Sequence, residues 1–242
     1  MTRKIALITG ATRGIGFETA RQLAQQNVHV IIGARSLDKG TDAACVLQGE
    51  GLNAEAVAID VTDAASIAAA AHEVEFKHGR LDILVNNAGI VLDDFQKKPS
   101  EQTLETWRAT FDTNLFGLIA VTQALLPLLH KSSAGRIVNV SSLLGSIALH
   151  SDPTSPIYDF KVPAYNVSKS AVNAWTVQLA HELRGSSVKV NTIHPGYVKT
   201  DMNKGEGEID IPEGAKTSVE LALIDADGPN GGFFHLGRSL PW

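Results

Sequence analysis

The sequence is short of several things. It has one cysteine, Cys45, in 242 residues. That excludes an internal disulfide and a cysteine-based zinc cluster, and it fits a reducing compartment. The chain enters Ile5-Ala6-Leu7-Ile8 almost at once, where a signal peptide would need a longer apolar core and a cleavage site. A cytoplasmic protein is therefore expected. No uninterrupted apolar run approaches the ~20 residues of a membrane helix, so no membrane span is expected. Positive charge is not in surplus: 21 Lys and Arg stand against 26 Asp and Glu, a net charge of −5. A chain of that sign does not hold a nucleic-acid backbone by general charge. There is no H-E-x-x-H and no paired Cys/His spacing among the eight histidines, so no metal site is expected. Within the alanine-rich stretch Ala64–Lys77 and just beyond it, His72 and His78 are expected to face solvent. His150 is expected at the surface of a loop.

What is present is an ordinary globular composition, 44% hydrophobic and 19% charged. Short β-branched runs at Lys4–Thr9, Val28–Gly33, Ala54–Ile59, Leu81–Val85, Arg136–Val140 and Val188–Ile193 read as strands. They are apolar at successive positions, as strands covered on both faces are. Helical patterns lie between them, first at Gly14–Gln26 and then at Ala64–Lys77. This alternation predicts βαβ units with right-handed crossovers. The rhythm breaks at Leu149–Pro163 and at Tyr197–Pro212, which are expected to be surface loops near strand ends. Apolar elements resume after each, so residues 1–242 are expected to form a single domain.

Three places carry chemistry. The first is the turn Thr9-Gly10-Ala11-Thr12-Arg13-Gly14-Ile15-Gly16, between a strand and a helix. Glycine permits positive φ and lets a ligand approach the backbone. The helix that follows presents unpaired N–H groups and the positive end of its dipole, which suit a pyrophosphate. The second is Tyr165 and Lys169, four residues apart and so on one face of a helix. A tyrosine, with pKa ~10, is a poor acid–base catalyst near neutral pH, and a nearby ammonium would lower it. Alone, such a pair is more often a boundary Tyr and a solvated Lys; its setting decides. The third is the end of the second strand, Ile32-Gly33-Ala34-Arg35. NAD-binding turns place an acid there for the ribose hydroxyls. Here Ala34 takes that place, and the Arg35 guanidinium suits a 2′-phosphate.

Read together, the sequence resembles the short-chain dehydrogenases/reductases. T-G-x-x-x-G-x-G is matched by Thr9–Gly16, N-N-A-G by Asn86-Asn87-Ala88-Gly89, and the helix asparagine by Asn114. The serine after strand five is matched in Ser141-Ser142, Y-x-x-x-K by Tyr165–Lys169, and P-G by Pro195-Gly196. The motifs occur in family order from Thr9 to about Met202, and their combination is highly specific.

The resemblance implies a Rossmann-like, doubly wound α/β/α domain. Its parallel sheet would have seven strands in the order 3-2-1-4-5-6-7, with Phe233–His235 last. It implies that Tyr165 protonates a carbonyl oxygen, that Ser142 rather than Ser141 bonds that oxygen, and that Lys169 also holds the nicotinamide ribose. Asn114 would fix a water that relays protons to Lys169. The cofactor residues it implies are Gly10, Thr12, Arg13, Gly14, Ile15, Gly16, Arg35, Asp60, Val61, Asn87, Ala88, Gly89, Tyr165, Lys169, Pro195, Gly196, Val198 and Thr200. Arg13 would be a second cation toward the 2′-phosphate, and Asp60 and Val61 would touch adenine. The expected cofactor is NADP(H).

Leu143, Tyr197 and Met202, beside the matched motifs, are expected to line a pocket for an apolar ketone, aldehyde or quinone. The 22 residues between Ser142 and Tyr165 exceed the common family spacing, as in members resembling carbonyl and menthone reductases. The segment 149–163 therefore reads as a substrate-side insert, and 197–212 as a lid-like loop. The insert is shorter than in the long animal carbonyl reductases. A monomer or homodimer is favoured over a tetramer. Competing readings are an NAD-dependent alcohol dehydrogenase, which the Ala34-Arg35 pair opposes, and a non-catalytic nucleotide sensor, which has no need of both Tyr165 and Lys169.

Overall fold

Strand β1 (Ile5–Thr9) is buried at every position, as a strand with helices above and below must be. The computed structural model describes residues 3–242. Seven further strands join β1 in one sheet: β2 (His29–Ala34), β3 (Ala54–Ala58), β4 (Ile83–Asn86), β5 (Arg136–Val140), β6 (Lys189–Ile193), β7 (Phe233–His235) and β8 (Arg238–Ser239). Their order is 3-2-1-4-5-6-7-8. The first seven run parallel, with Leu7 opposite both Ile31 and Leu84. The chain winds outward in both directions from β1 and β4, which opens a crevice at their carboxyl ends.

The expected seven-stranded order is present, and an eighth strand extends it. β8 pairs antiparallel with β7, His235 opposite Arg238. The two residues between them, Leu236 and Gly237, both have positive φ (44° and 73°). That is the backbone a two-residue hairpin needs, but leucine in place of asparagine or glycine conceals it in the sequence.

Side-chain alternation along the strands divides the core into two layers. Ala6, Ile8, Val30 and Ile32 face α1 (Gly14–Gln25), α2 (Leu37–Gly49) and α8 (Ile211–Ala222). Leu7, Ile31, Leu84 and Ile137 face α3 (Ala64–His78), α5 (Leu118–Leu129) and α7 (Pro163–Glu182). Helix α4 (Leu104–Phe111) runs through a π-helical turn, Asp112–Gly117, into α5. The resulting helix, Leu104–Leu129, is long and apolar enough to cross a membrane, although its apolar run is broken by Glu105, Arg108 and Asp112. Its Val121, Leu125, Leu128 and Leu129 are buried in the core against the sheet.

The two breaks in rhythm contain more structure than loops. A short helix α6 (Ile147–Ser151) opens the first. The second ends early, because Pro212 sits within the first two positions of α8, where a proline loses no helical hydrogen bond.

Candidate active site

The crevice begins with the glycine turn. Gly10 and Gly14 have φ of +63° and +60°. A side chain on Gly16 would drive its Cβ into Asn87 Nδ2 and to 2.8 Å from the Gly10 carbonyl oxygen, so this glycine is required by packing. Asn87 in turn donates through Nδ2 to the carbonyls of Thr9 and Gly10, at 3.0 and 3.2 Å. Thr9 Oγ1 accepts the amides of Asn87 and Ala88, at 3.0 and 3.1 Å. The N-N-A-G segment and the glycine turn are thus one rigid unit. Helix α1 starts with no side-chain cap and no acid in its first turn, whereas α2, α3 and α4 are capped by Ser36, Asp63 and Thr103. Its first amides are left for an anion.

Deeper in the crevice the π-helical turn places Asn114, which is fully buried. Such turns often sit at functional sites. Asn114 Oδ1 accepts from Ile90 N at 2.8 Å, and Nδ2 donates to Ile90 O and Ser168 Oγ at 2.9 and 3.0 Å. Lys169 lies close by. A Cβ built on Gly89 would stand in ordinary contact with Lys169 Nζ at 3.4 Å and Asn114 Oδ1 at 3.5 Å, so the missing side chain leaves a small opening between them.

Lys169 Nζ donates to the carbonyl of Val140 at 2.8 Å and lies 5.6 Å from the centre of the Tyr165 ring. The two serines after β5 separate here. Ser141 is almost wholly buried and donates to the carbonyl of Lys169 at 3.2 Å. Ser142 Oγ accepts from Leu144 N at 3.2 Å and lies near enough to the Tyr165 hydroxyl to favour its ionised form. Its own hydrogen remains available to a ligand.

The electrostatics differ from the sequence expectation. Burial pushes the Tyr165 phenol up to about 12, and the contact with Ser142 offsets only part of this. Burial also pulls the Lys169 ammonium down to about 8. The ammonium does not lower the phenol, because it points at the Val140 carbonyl and itself lacks solvation. At neutral pH the pair is a protonated tyrosine beside a lysine that titrates just above.

Asp93 escaped the sequence reading. It is buried, and its carboxylate accepts from the backbone amides of Ala164 and Tyr165 at 2.7 and 3.1 Å. Helix α7 has no cap of its own at Val162. A capless start was the signal, but Asp93 stands 71 residues from Ala164. Asp93→Ala should cost about 1–2 kcal/mol by stranding these amides, and lower Tm by roughly 2–8 °C. Asp93→Asn, which keeps an acceptor, should lose less. Thermal melts of the two variants check this. His194 was also missed. Its Nδ1 accepts from Leu143 N at 3.0 Å, and burial with His235 alongside pulls its pKa down to about 3. A neutral imidazole therefore holds the turn after Ser142.

At the end of β2, Ala34 is buried and Arg35 exposed. Among the described residues Arg35 makes no side-chain hydrogen bond or ion pair. Asp60 lies within its field: bonds from Thr62 and, secondarily, the Arg35 charge hold its carboxyl below the usual range. Val61 is buried, and its carbonyl would be 2.6 Å from a Cβ on Gly117. Arg13 pairs instead across the crevice with Asp201, at 2.8 Å.

The 197–212 segment is anchored by the bridge between Val198 and Ile209. Asn203 Oδ1 accepts from Thr200 N at 3.0 Å, and Gly196 has φ of +95°. Leu143 is half-buried, while Tyr197 and Met202 are exposed. His150 is half-buried against the Leu144 carbonyl and Lys161, with a pKa lowered by burial and by that ammonium.

A family model described as short chain dehydrogenase matches residues 4–209. The (-)-isopiperitenone reductase of Mentha piperita is 33% identical over 310 residues, covering 98% of this chain and 98% of that one. The solved structure of salutaridine reductase from Papaver somniferum superposes with a TM-score of 0.83 at 31% identity, over 96% of this chain and 99% of that one. An NADPH-bound carbonyl reductase from chicken fatty liver superposes with a TM-score of 0.86 at 26% identity, over the whole of both chains.

Proposed function

The chain belongs to the short-chain dehydrogenase family, and from that premise we propose that it is an NADPH-dependent reductase of small apolar ketones, aldehydes or quinones. The observation that carries this is the meeting of Ser142, Tyr165 and Lys169 beside the opening at Gly89.

The crevice fits the cofactor. The uncapped start of α1 and the positive-φ glycines at positions 10 and 14 offer amides to a pyrophosphate. Asp60 and Val61 would touch the adenine, and Arg35, exposed and without a side-chain partner among the described residues, would meet the 2′-phosphate. The stretch Pro195–Thr200 and the Asn87–Gly89 segment would flank the nicotinamide end. When bound, NADPH supplies the hydride. Tyr165 then gives its phenolic proton to the carbonyl oxygen, and Ser142 donates a hydrogen bond to the same atom. Lys169 holds the ribose hydroxyls and replenishes the phenol. Asn114 positions the turn at Ile90, and the second lone pair of its Oδ1 is available to a relay water. Leu143, Tyr197 and Met202 offer apolar contact to the substrate.

The test is NADPH oxidation, with NADH in parallel, against a panel of ketones, aldehydes and quinones. Turnover on apolar carbonyls with preference for NADPH supports the reading; none on any member, or preference for NADH, overturns it. We further place the enzyme in the cytoplasm as a monomer or homodimer. Its single cysteine and its long segment before Tyr165 support this, and sedimentation of the purified chain tests the assembly.

A pH dependence follows. Tyr165, near 12, keeps its proton through neutral and mildly basic pH, while Lys169 loses its own near 8. The kcat/KM for reduction should be level below about 8 and fall about tenfold per pH unit above it, since that parameter reports the free enzyme. In Lys169→Arg the same limb should move to higher pH. Steady-state profiles of both proteins check this.

A further inference from the structure

At the other end of the strands from the crevice, three residues the mechanism does not use come together. His29 opens β2, Glu55 is the second residue of β3, and His78 closes α3. Glu55 pairs with Ile31 across the ladder, and His29 shares the Ile31 face of its strand. That face is covered by α3, through Ile67 and Val74. His78 therefore does not face solvent, as its sequence position had implied, although His72 is exposed.

Glu55 Oε1 lies 3.1 Å from His29 Nε2 and 2.5 Å from His78 Nε2. One ligand atom from each of the three side chains falls within 4.8 Å of the others. The rings are 5.3 Å apart and tilted by 49°, so they converge on the carboxylate rather than stack. The side chains of His29, Glu55 and His78 are only 25%, 26% and 16% exposed. Lys77 takes the other carboxylate oxygen at 3.3 Å and is itself held by Glu73 at 2.7 Å, which leaves Oε1 for the two histidines.

Two imidazoles and a carboxylate, with a fourth position open to water, form the donor set of a borderline ion such as zinc. Bonds of ~2.0–2.1 Å at a tetrahedral centre set the ligand atoms ~3.3 Å apart. The His29–Glu55 separation of 3.1 Å is near that, and His78 Nε2, now hydrogen-bonded to Glu55 Oε1 at 2.5 Å, would have to move back to admit an ion. We propose that His29, Glu55 and His78 bind one divalent transition-metal ion of the zinc class, with water completing its shell. Without the ion each Nε2–H donates to Glu55 Oε1; to bind it, each imidazole would move that proton to Nδ1 and present the freed Nε2 lone pair. Sequence spacing hides the set because His29 and Glu55 lie on neighbouring strands. β3 is an edge strand, paired only with β2. The ion would tie that edge to the helix covering it and so protect it.

The test is calorimetric titration of the chelator-treated full chain with zinc chloride, with cobalt(II) as the spectroscopic probe. One equivalent should bind, with tetrahedral cobalt absorbance. Tm should rise by about 5–10 °C at a hundredfold excess over Kd. His29→Ala and His78→Ala should each weaken binding at least tenfold, and His72→Ala should not change it. Glu55→Gln keeps the hydrogen bonds to the rings and removes the anion, so it should stay folded and lose the ion. Lys77→Gln frees the second carboxylate oxygen and should tighten binding. Carbonyl reduction should be unchanged in the His78 variant. No stoichiometric zinc in the parent, or binding that survives in Glu55→Gln, overturns the proposal and leaves a hydrogen-bonded triad.

Discussion

Tyr165→Phe should lower kcat for carbonyl reduction by about 10²–10⁴-fold, the range general acid catalysis supplies, while NADPH still binds. The substitution removes one oxygen and keeps the ring. Apart from its interaction with Ser142, nothing that positions the rest of the site depends on that oxygen. Lys169 is anchored on the Val140 carbonyl, the start of α7 hangs on Asp93 through backbone amides, and the carbonyl of Tyr165 accepts from Ser168. Cofactor affinity should therefore stay near that of the parent. Lys169→Ala should damage both turnover and affinity, because the ammonium would serve both. The double variant should be little worse than the poorer single one, since the two side chains act as a unit. Steady-state reduction alongside NADPH titration by fluorescence reads both quantities. Near-full turnover of Tyr165→Phe on every substrate the parent reduces would mean that another group delivers the proton.

The strands, the glycine turn and the Tyr165–Lys169 pair were legible in the sequence because each rests on local pattern, while the strand order followed from the family resemblance those motifs carry. Buried parallel strands are apolar on both faces, and the glycines and the Tyr165–Lys169 pair carry their geometry in their spacing. What was not legible depends on contacts between distant segments. Asp93 caps a helix from 71 residues away. His29 and Glu55 meet through a ladder register, and the hairpin to β8 uses a leucine at positive φ. The electrostatics were misread for a different reason. Spacing shows that an ammonium is near a phenol, but not that both are buried. Burial sets the sign here, raising Tyr165 and lowering Lys169. The phenol then keeps its proton throughout the neutral range, so the group that reduction needs is present, although as a weaker acid than a free tyrosine.

Arg35→Asp should weaken NADPH binding about ten- to a hundredfold and improve the relative use of NADH. β2 ends at the buried Ala34 and is followed at once by the exposed Arg35, so the end of this strand carries a cation where an acid would otherwise stand. The other candidate, Arg13, is engaged with Asp201 at 2.8 Å, both side chains largely exposed. An exposed pair of that kind contributes only ~0–1 kcal/mol, so Arg13 can exchange partners at little cost, but its net gain from a phosphate is correspondingly small. Arg35 has no such partner to give up and should carry the larger share. Loss of one charge-assisted contact costs ~1.5–3 kcal/mol, which is the ten- to hundredfold range. The new carboxylate adds repulsion toward a 2′-phosphate and an acceptor for two ribose hydroxyls, so the two cofactors should move in opposite directions. Arg35→Asn separates these effects: it should weaken NADPH without improving NADH to the same degree. Asp201→Asn, which releases Arg13, should change NADPH affinity by less than about fivefold, in keeping with the small worth of an exposed pair. Fluorescence titration of each variant with both nucleotides gives the four comparisons. An unchanged NADPH-to-NADH ratio in Arg35→Asp would show that the phosphate is read elsewhere in the crevice.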